Sequence, residues 1–216
     1  MCEKILFLYQ VAKKTKLLLG TVTKYTQEKE ISMCAQCDQN KRKVINEIDL
    51  ASNLSCLLHK VLNFHEVDGL SQMVLHELGH EDQFNFNKAT YLVDNPDFNH
   101  LLGVAGYSND ECHYHQDDLW QDPYSFIKDM ESAKYHNEVK NYLNDSLRRK
   151  DINLNNSKEV KELGAFLGLK KPEYFSWNSK NGNHGILLFE PQEQEQSTWR
   201  VSFLHNIAAL LSFCGI

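Results

Sequence analysis

Apolar residues recur at helical spacing through Val44, Ile45, Ile48, Leu50, Leu54, Leu57, Leu58, Val61 and Leu62, so one or two helices are expected between residues 44 and 64. Leu70, Met73, Val74, Leu75 and Leu78 continue the pattern in a further helix, with Asp68 or Ser71 placed to cap it. On that helix His76, Glu77 and His80 fall largely opposite the apolar set, so one side would hold to the core and the other would face a cleft. Residues 125–147 look helical again through Phe126, Ile127, Met130, Val139, Tyr142 and Leu143. Val160, Leu163, Phe166 and Leu167 mark a shorter helix ending at Gly168.

The intervals between these runs read differently. Residues 81–124 keep no steady period, are rich in Asn and Asp and are dotted with aromatics, which reads as functional loop. Gly185 to Phe189 and Trp199 to Phe203 read as two strands joined by the polar loop from Glu190 to Ser197. The runs Ile5 to Tyr9 and Leu17 to Leu19 decide for neither helix nor strand. The expected class is α+β, mainly helical with a small C-terminal antiparallel strand pair, in a single domain over residues 1–216.

Composition narrows the partners. A chain of 216 residues can bury a proper core, and 42% hydrophobic with 24% charged residues is ordinary for a soluble globular protein. A net charge of −6 argues against nucleic acid or an anionic membrane as the main partner, and the basic clusters at 41–43 and 148–150 are short and flanked by acids. No apolar run approaches the roughly 20 residues that span a bilayer. The N-terminal run is broken by Gln10 and followed by Lys13, Lys14 and Lys16, a poor leader, so a cytoplasmic protein, or one exported without a cleaved leader, is expected.

The chemistry concentrates at His76-Glu77-Leu78-Gly79-His80, an HExxH pattern. Two imidazoles one helical turn apart can share a metal ion, and the intervening glutamate can act as general base. The stretch resembles the signature helix of the zincin metallopeptidases, including Leu78-Gly79. That resemblance implies zinc held by His76 and His80, water polarised by Glu77, and a peptide or protein substrate. The metzincin extension is absent, since Gln83 stands where its glycine would be and Phe86 where its third ligand would be. Asn137-Glu138 resembles the Asn-Glu of the second helix in glutamate-type zincins, making Glu138 the first choice of third ligand, with Glu111 and the His113-Tyr114-His115 pair as competitors. Val74 to His80 is also similar to the core of the HD-domain metal-dependent phosphohydrolases, with Glu77 where their ligating aspartate stands.

Two further constellations compete. Cys34-x-x-Cys37 and Cys56-x-x-His59 have the spacing of two zinc-ribbon ligand pairs, which would staple residues 1–64 as a subregion; the alternative is Cys56 as a small core residue. Cys56 and His184 resemble, in order, the nucleophile and base of papain-like cysteine proteases and deamidases, with Glu190 or Gln192 orienting the imidazole. His113 and His115 with Asp117 and Asp118 could also ligate a metal. The leading expectation is a zinc-dependent hydrolase, a metallopeptidase with Glu77 catalytic and His76, His80 and Glu138 on the metal. The alternatives are a cysteine hydrolase using Cys56 and His184, and a non-enzymatic interaction protein with a structural zinc.

Overall fold

The computed structural model describes residues 49, 51–80, 83–111, 116–148, 157–179, 182–192, 204 and 208–214. By their contacts the residues divide into two compact units, 1–59 and 60–216. Apart from residue 49, the described part of the first unit belongs to helix α1 (51–63), where Ala51, Leu54, Leu57 and Leu58 recur at helical spacing and are buried.

The second unit runs α2 (Leu70–Gly79), β1 (Phe86–Asn95), β2 (His100–Ser108), α3 (Gln116–Gln121), α4 (Pro123–Met130), α5 (Lys134–Lys140), β3 (Leu143–Asn144), α6 (Ser157–Phe166), β4 (Glu173–Asn178) and β5 (His184–Pro191). The strands form one antiparallel sheet in the order β3-β2-β1-β5-β4. A mainly helical chain with a small C-terminal strand pair is therefore not what forms. The sheet is the centre of the unit, and two of its long strands lie in the stretch expected to be loop. The cause is burial on both faces: β1 has its Ala89 to Asp94 run wholly buried, so the alternation that marks a half-exposed strand is missing.

One face of the sheet carries Leu92, Ile186 and Leu188, which cluster with Tyr135 and Val139 of α5 and with Val160 and Leu163 of α6. A bulge on β2 sets this face. Tyr91 pairs with Ala105 and Leu92 with Gly103, leaving Val104 as the extra residue, so Gly103 and Gly106 both turn toward α5 despite their odd spacing. A Cβ at Gly103 would lie 1.7 Å from the Val139 carbonyl oxygen, so only glycine admits α5 this closely. Tyr107, next along β2, faces the other way and meets α2.

The outer edge of β2 is closed by local bonds as well as by β3, which covers only Leu101 and Leu102. The Gly103 N–H donates to the Tyr142 carbonyl at 2.9 Å, and the Gly106 N–H donates to His136 Nδ1 at 3.3 Å. The helix expected over 125–147 is two helices. Asp122 caps α4 by accepting the Ser125 N–H at 3.1 Å with Pro123 in the first turn, and the chain breaks at 131–133 before α5. The short helix closing at Gly168 forms as expected, Gly168 taking φ +77°. Among the described residues no helix is long and apolar enough to cross a membrane.

Candidate functional site

Helix α2 carries the HExxH pattern, yet neither capping residue read from the sequence is used. Gly69 at φ +82° supplies the N-terminal turn, and no side chain caps it. All ten residues of the helix are buried, the polar side included, so it has no cleft-facing surface of the kind the periodicity suggested. His76 lies between two aromatic rings, edge to face with Tyr107 and with Phe126 at 5.0 Å each. Burial pushes its pKa down to about 3, the nearby His136 adds to the shift, and a hydrogen bond at the Gly106 backbone opposes it. Burial likewise lowers His136 to about 4, with Lys140 contributing. Gly106 thus stands between two neutral imidazoles, one from each helix layer.

Glu77 is already engaged. Trp120 donates its indole N–H to Oε2 at 2.7 Å, and Lys60 Nζ lies 3.1 Å from Oε1. The Lys60 ammonium also lies 5.3 Å from the Trp120 ring centroid, so cation, carboxylate and indole form one closed cluster. The helix stops at Gly79, where the Tyr107 ring would come within 2.5 Å of any Cβ. His80 is extended, at φ −60° and ψ 153°, and does not extend the helical row above His76.

Glu138 is on an exposed turn of α5, paired with Lys134 at 3.8 Å. Glu111 caps α5 instead, both carboxylate oxygens accepting the Tyr135 N–H at 3.0 and 3.1 Å. His113, Tyr114 and His115 lie outside the described residues, as do the side chains of Asp117 and Asp118. Among the described residues no group of three or more His, Cys, Asp or Glu is placed to hold a metal ion. With Glu77 committed and His80 off the helix, the donors in view do not fit a zinc centre.

Cys34 and Cys37 also lie outside the described residues, while Cys56 and His59 are exposed on α1, so Cys56 is not a core residue. His184 opens β5 in the second unit, buried opposite Asp94, with Arg148 Nη1 against its Nε2. Burial lowers its pKa, Arg148 adds to this, and Asp94 opposes it. Glu190 is at the far end of β5, where it accepts the Lys170 N–H at 3.3 Å and a weak bond from Asn87 at 3.4 Å.

A cleft of about 270 Å³ lies over α5 and the end of α6, bringing Lys88 and Tyr135, which the sequence did not single out, together with Glu138 and residues read only as helix-forming. Tyr135 and Val139 floor it, Lys88 enters from β1, and Tyr142, Phe166 and Gly168 border it. The Lys88 ammonium lies 4.7 Å from the Tyr135 ring centroid. The Tyr135 hydroxyl shares a buried 2.7 Å hydrogen bond with Thr90 Oγ1, and burial pushes its pKa up to about 12, so it stays protonated. Phe166 is 76% exposed with its ring centroid 5.7 Å from that of Tyr142. Only Glu138 belongs to both this cleft and the expected metal set.

No family model and no curated protein matches the chain. Among solved structures it is similar to SdiA in complex with octanoyl-rac-glycerol, at 18% identity over 73% of this chain and 63% of that one, with a TM-score of 0.36. The chain thus spans less than two thirds of that structure's length. So loose a likeness carries neither fold nor function across.

Proposed function

We propose that this chain is a small-molecule-binding domain and that its ligand seats in the cleft over α5 and α6. The observation that carries the reading is the cleft itself: about 270 Å³, close to the lower end of the usual ligand-pocket range of roughly 300–1,000 Å³, with aromatic and aliphatic walls and a few polar groups. Its floor is rigid, because Val139 is pressed onto Gly103 and Tyr135 is held by Thr90 and Glu111. A preformed floor lowers the ordering cost of binding. A ligand-observed NMR screen of small organic compounds tests it, repeated on Glu138→Trp, which places a bulky ring at the mouth from an exposed position. Hits lost in that variant support the reading; no hits, or hits indifferent to the substitution, overturn it.

The zinc peptidase expected at His76, Glu77, His80 and Glu138 is not favoured by this geometry. Metal analysis of the purified protein separates the two readings. One zinc per chain, absent from His76→Ala and His80→Ala, would restore the peptidase.

A further inference from the structure

β4 ends the order of strands, so among the described residues its outer side has no neighbouring strand. Its register with β5 runs without a shift from Glu173 to Asn178. The Ser179 N–H donates to the Asn183 carbonyl at 2.8 Å, which fixes the backbone groups that point inward. By two-residue alternation Glu173, Phe175 and Trp177 bond toward β5, while Tyr174, Ser176 and Asn178 turn their N–H and C=O groups outward. Edge strands are commonly protected by a lysine, a proline or a bulge that blocks further pairing. β4 has none of these from Tyr174 to Asn178, and its four central residues are only half-buried.

A groove of about 660 Å³ adjoins the start of this strand, between α6 and the residues leading into β4. Lys158, Lys161, Lys170 and Lys171 line it with Glu162 and Glu173, an excess of two positive charges on a chain whose net charge is −6. Glu162 lies 4.0 Å from Lys158. Among the described residues no carboxylate comes within 4.0 Å of the Lys161, Lys170 or Lys171 ammonium. The groove shares no residue with the α5–α6 cleft, and Glu173 joins it to the strand edge.

We propose that the outer edge of β4 takes up an extended acidic peptide as a sixth strand, antiparallel to β4, with carboxylates at the peptide's C-terminal end over Lys161, Lys170 and Lys171. The outward groups of Tyr174, Ser176 and Asn178 hold the peptide backbone whatever its sequence, and the lysines select its charge. A second copy of the chain suits the edge less well. Two β4 strands paired antiparallel about Ser176 engage all three outward residues of each, and this register sets the copy's Glu173 beside Ser179, at the far end from Lys170 and Lys171. A nucleic acid would meet the lysines but offers no amide row to the strand edge.

The probe is a fluorescein-labelled octapeptide, five alternating threonines and valines followed by three glutamates, titrated into the full chain. Matched peptides carry three glutamines instead, or N-methyl groups along the strand-forming part. The acidic peptide should bind roughly tenfold more tightly than the glutamine peptide, as two or three exposed ion pairs allow, and the methylated peptide should not bind. Bound peptide should slow hydrogen exchange at the Tyr174, Ser176 and Asn178 amides. Lys170 and Lys171 are exposed, so Lys170→Gln with Lys171→Gln should leave the melting temperature unchanged and remove most of the preference. No binding, or a preference that survives the double variant, overturns the proposal. So does binding that leaves the three amides exchanging as before, or a uridine octanucleotide that binds as tightly as the acidic peptide. Amides already protected in the chain alone, at any concentration, would show the edge covered and overturn it as well.

Discussion

Trp120 donates its indole N–H to Glu77 at 2.7 Å, and this bond gives the glutamate of the HExxH pattern a packing role. With Lys60 on the other oxygen, removing the carboxylate strands a buried indole N–H and a part-buried ammonium. Glu77→Ala should cost about 2–4 kcal/mol of unfolding free energy, less than a fully buried pair because Lys60 can reach solvent. Glu77→Gln, which keeps an acceptor for Trp120, should cost about 1–2 kcal/mol. Urea unfolding measures both. A catalytic base would give the reverse signature: lost turnover at unchanged stability.

The two histidines beside Gly106 make the fold acid-sensitive. Both fold neutral, with pKa values lowered to about 3 for His76 and about 4 for His136, while the unfolded chain titrates at the ordinary 6.5. Above pH 6.5 neither state takes up a proton there, so the stabilisation is complete. As pH falls below 6.5 the unfolded state binds protons that the folded state refuses, and stability should drop by about 1.4 kcal/mol per pH unit per histidine. The loss from His136 levels off below about pH 4 and that from His76 below about pH 3. Urea midpoints from pH 7 to 4.5 should show this slope, and His76→Phe, which suits the gap between Tyr107 and Phe126, should remove close to half of it.

Helices α1, α2 and α6 were legible because their apolar residues recur at 3.6-residue spacing, and Gly168 ended α6 where the sequence placed the stop, whereas α3 lies in the stretch read as loop and one expected helix is split into α4 and α5. The sheet was not legible. β1 is buried on both faces, and the β2 bulge at Val104 breaks the period of two. What surrounds the HExxH residues was hidden from the sequence for a related reason. HExxH spacing says which side of a helix its residues share, but not that Trp120, Tyr107 and Phe126 cover that side. The cleft draws on Lys88, Tyr135, Phe166 and Gly168, whose sequence separations reveal nothing until the sheet is assembled. Phe166 was read as part of the apolar set of its helix, and its exposure shows only in the structure.

Glycines at the helix–sheet contacts should rank by what a methyl group would strike. At Gly103 the obstacle is a backbone carbonyl of α5 at 1.7 Å, which cannot rotate away. At Gly79 it is the Tyr107 ring at 2.5 Å, which can swing only by displacing His76. Gly103→Ala should therefore exceed the usual overpacking cost of about 1–3 kcal/mol, and Gly79→Ala should fall within it. Thermal unfolding of the two single variants gives the order, and the reverse order would contradict this account of how α5 sits on β2.

Glu111 offers the last separation between a ligand and a structural group. Its carboxylate reaches 24 residues along the chain to accept the Tyr135 N–H, at the start of a helix whose N-terminal residue Ala133 supplies no side-chain cap. Removing it leaves the first turn of α5 without that acceptor and loosens Tyr135, which forms the cleft floor. Glu111→Ala should cost about 0.5–2 kcal/mol, the range for a lost helix cap. Glu111→Gln, which keeps an acceptor oxygen, should recover most of that, whereas an amide at a metal-ligating position would not restore the ligand. Hydrogen exchange at the Tyr135 amide, faster in Glu111→Ala and near normal in Glu111→Gln, distinguishes the cap from a metal ligand without assuming any activity.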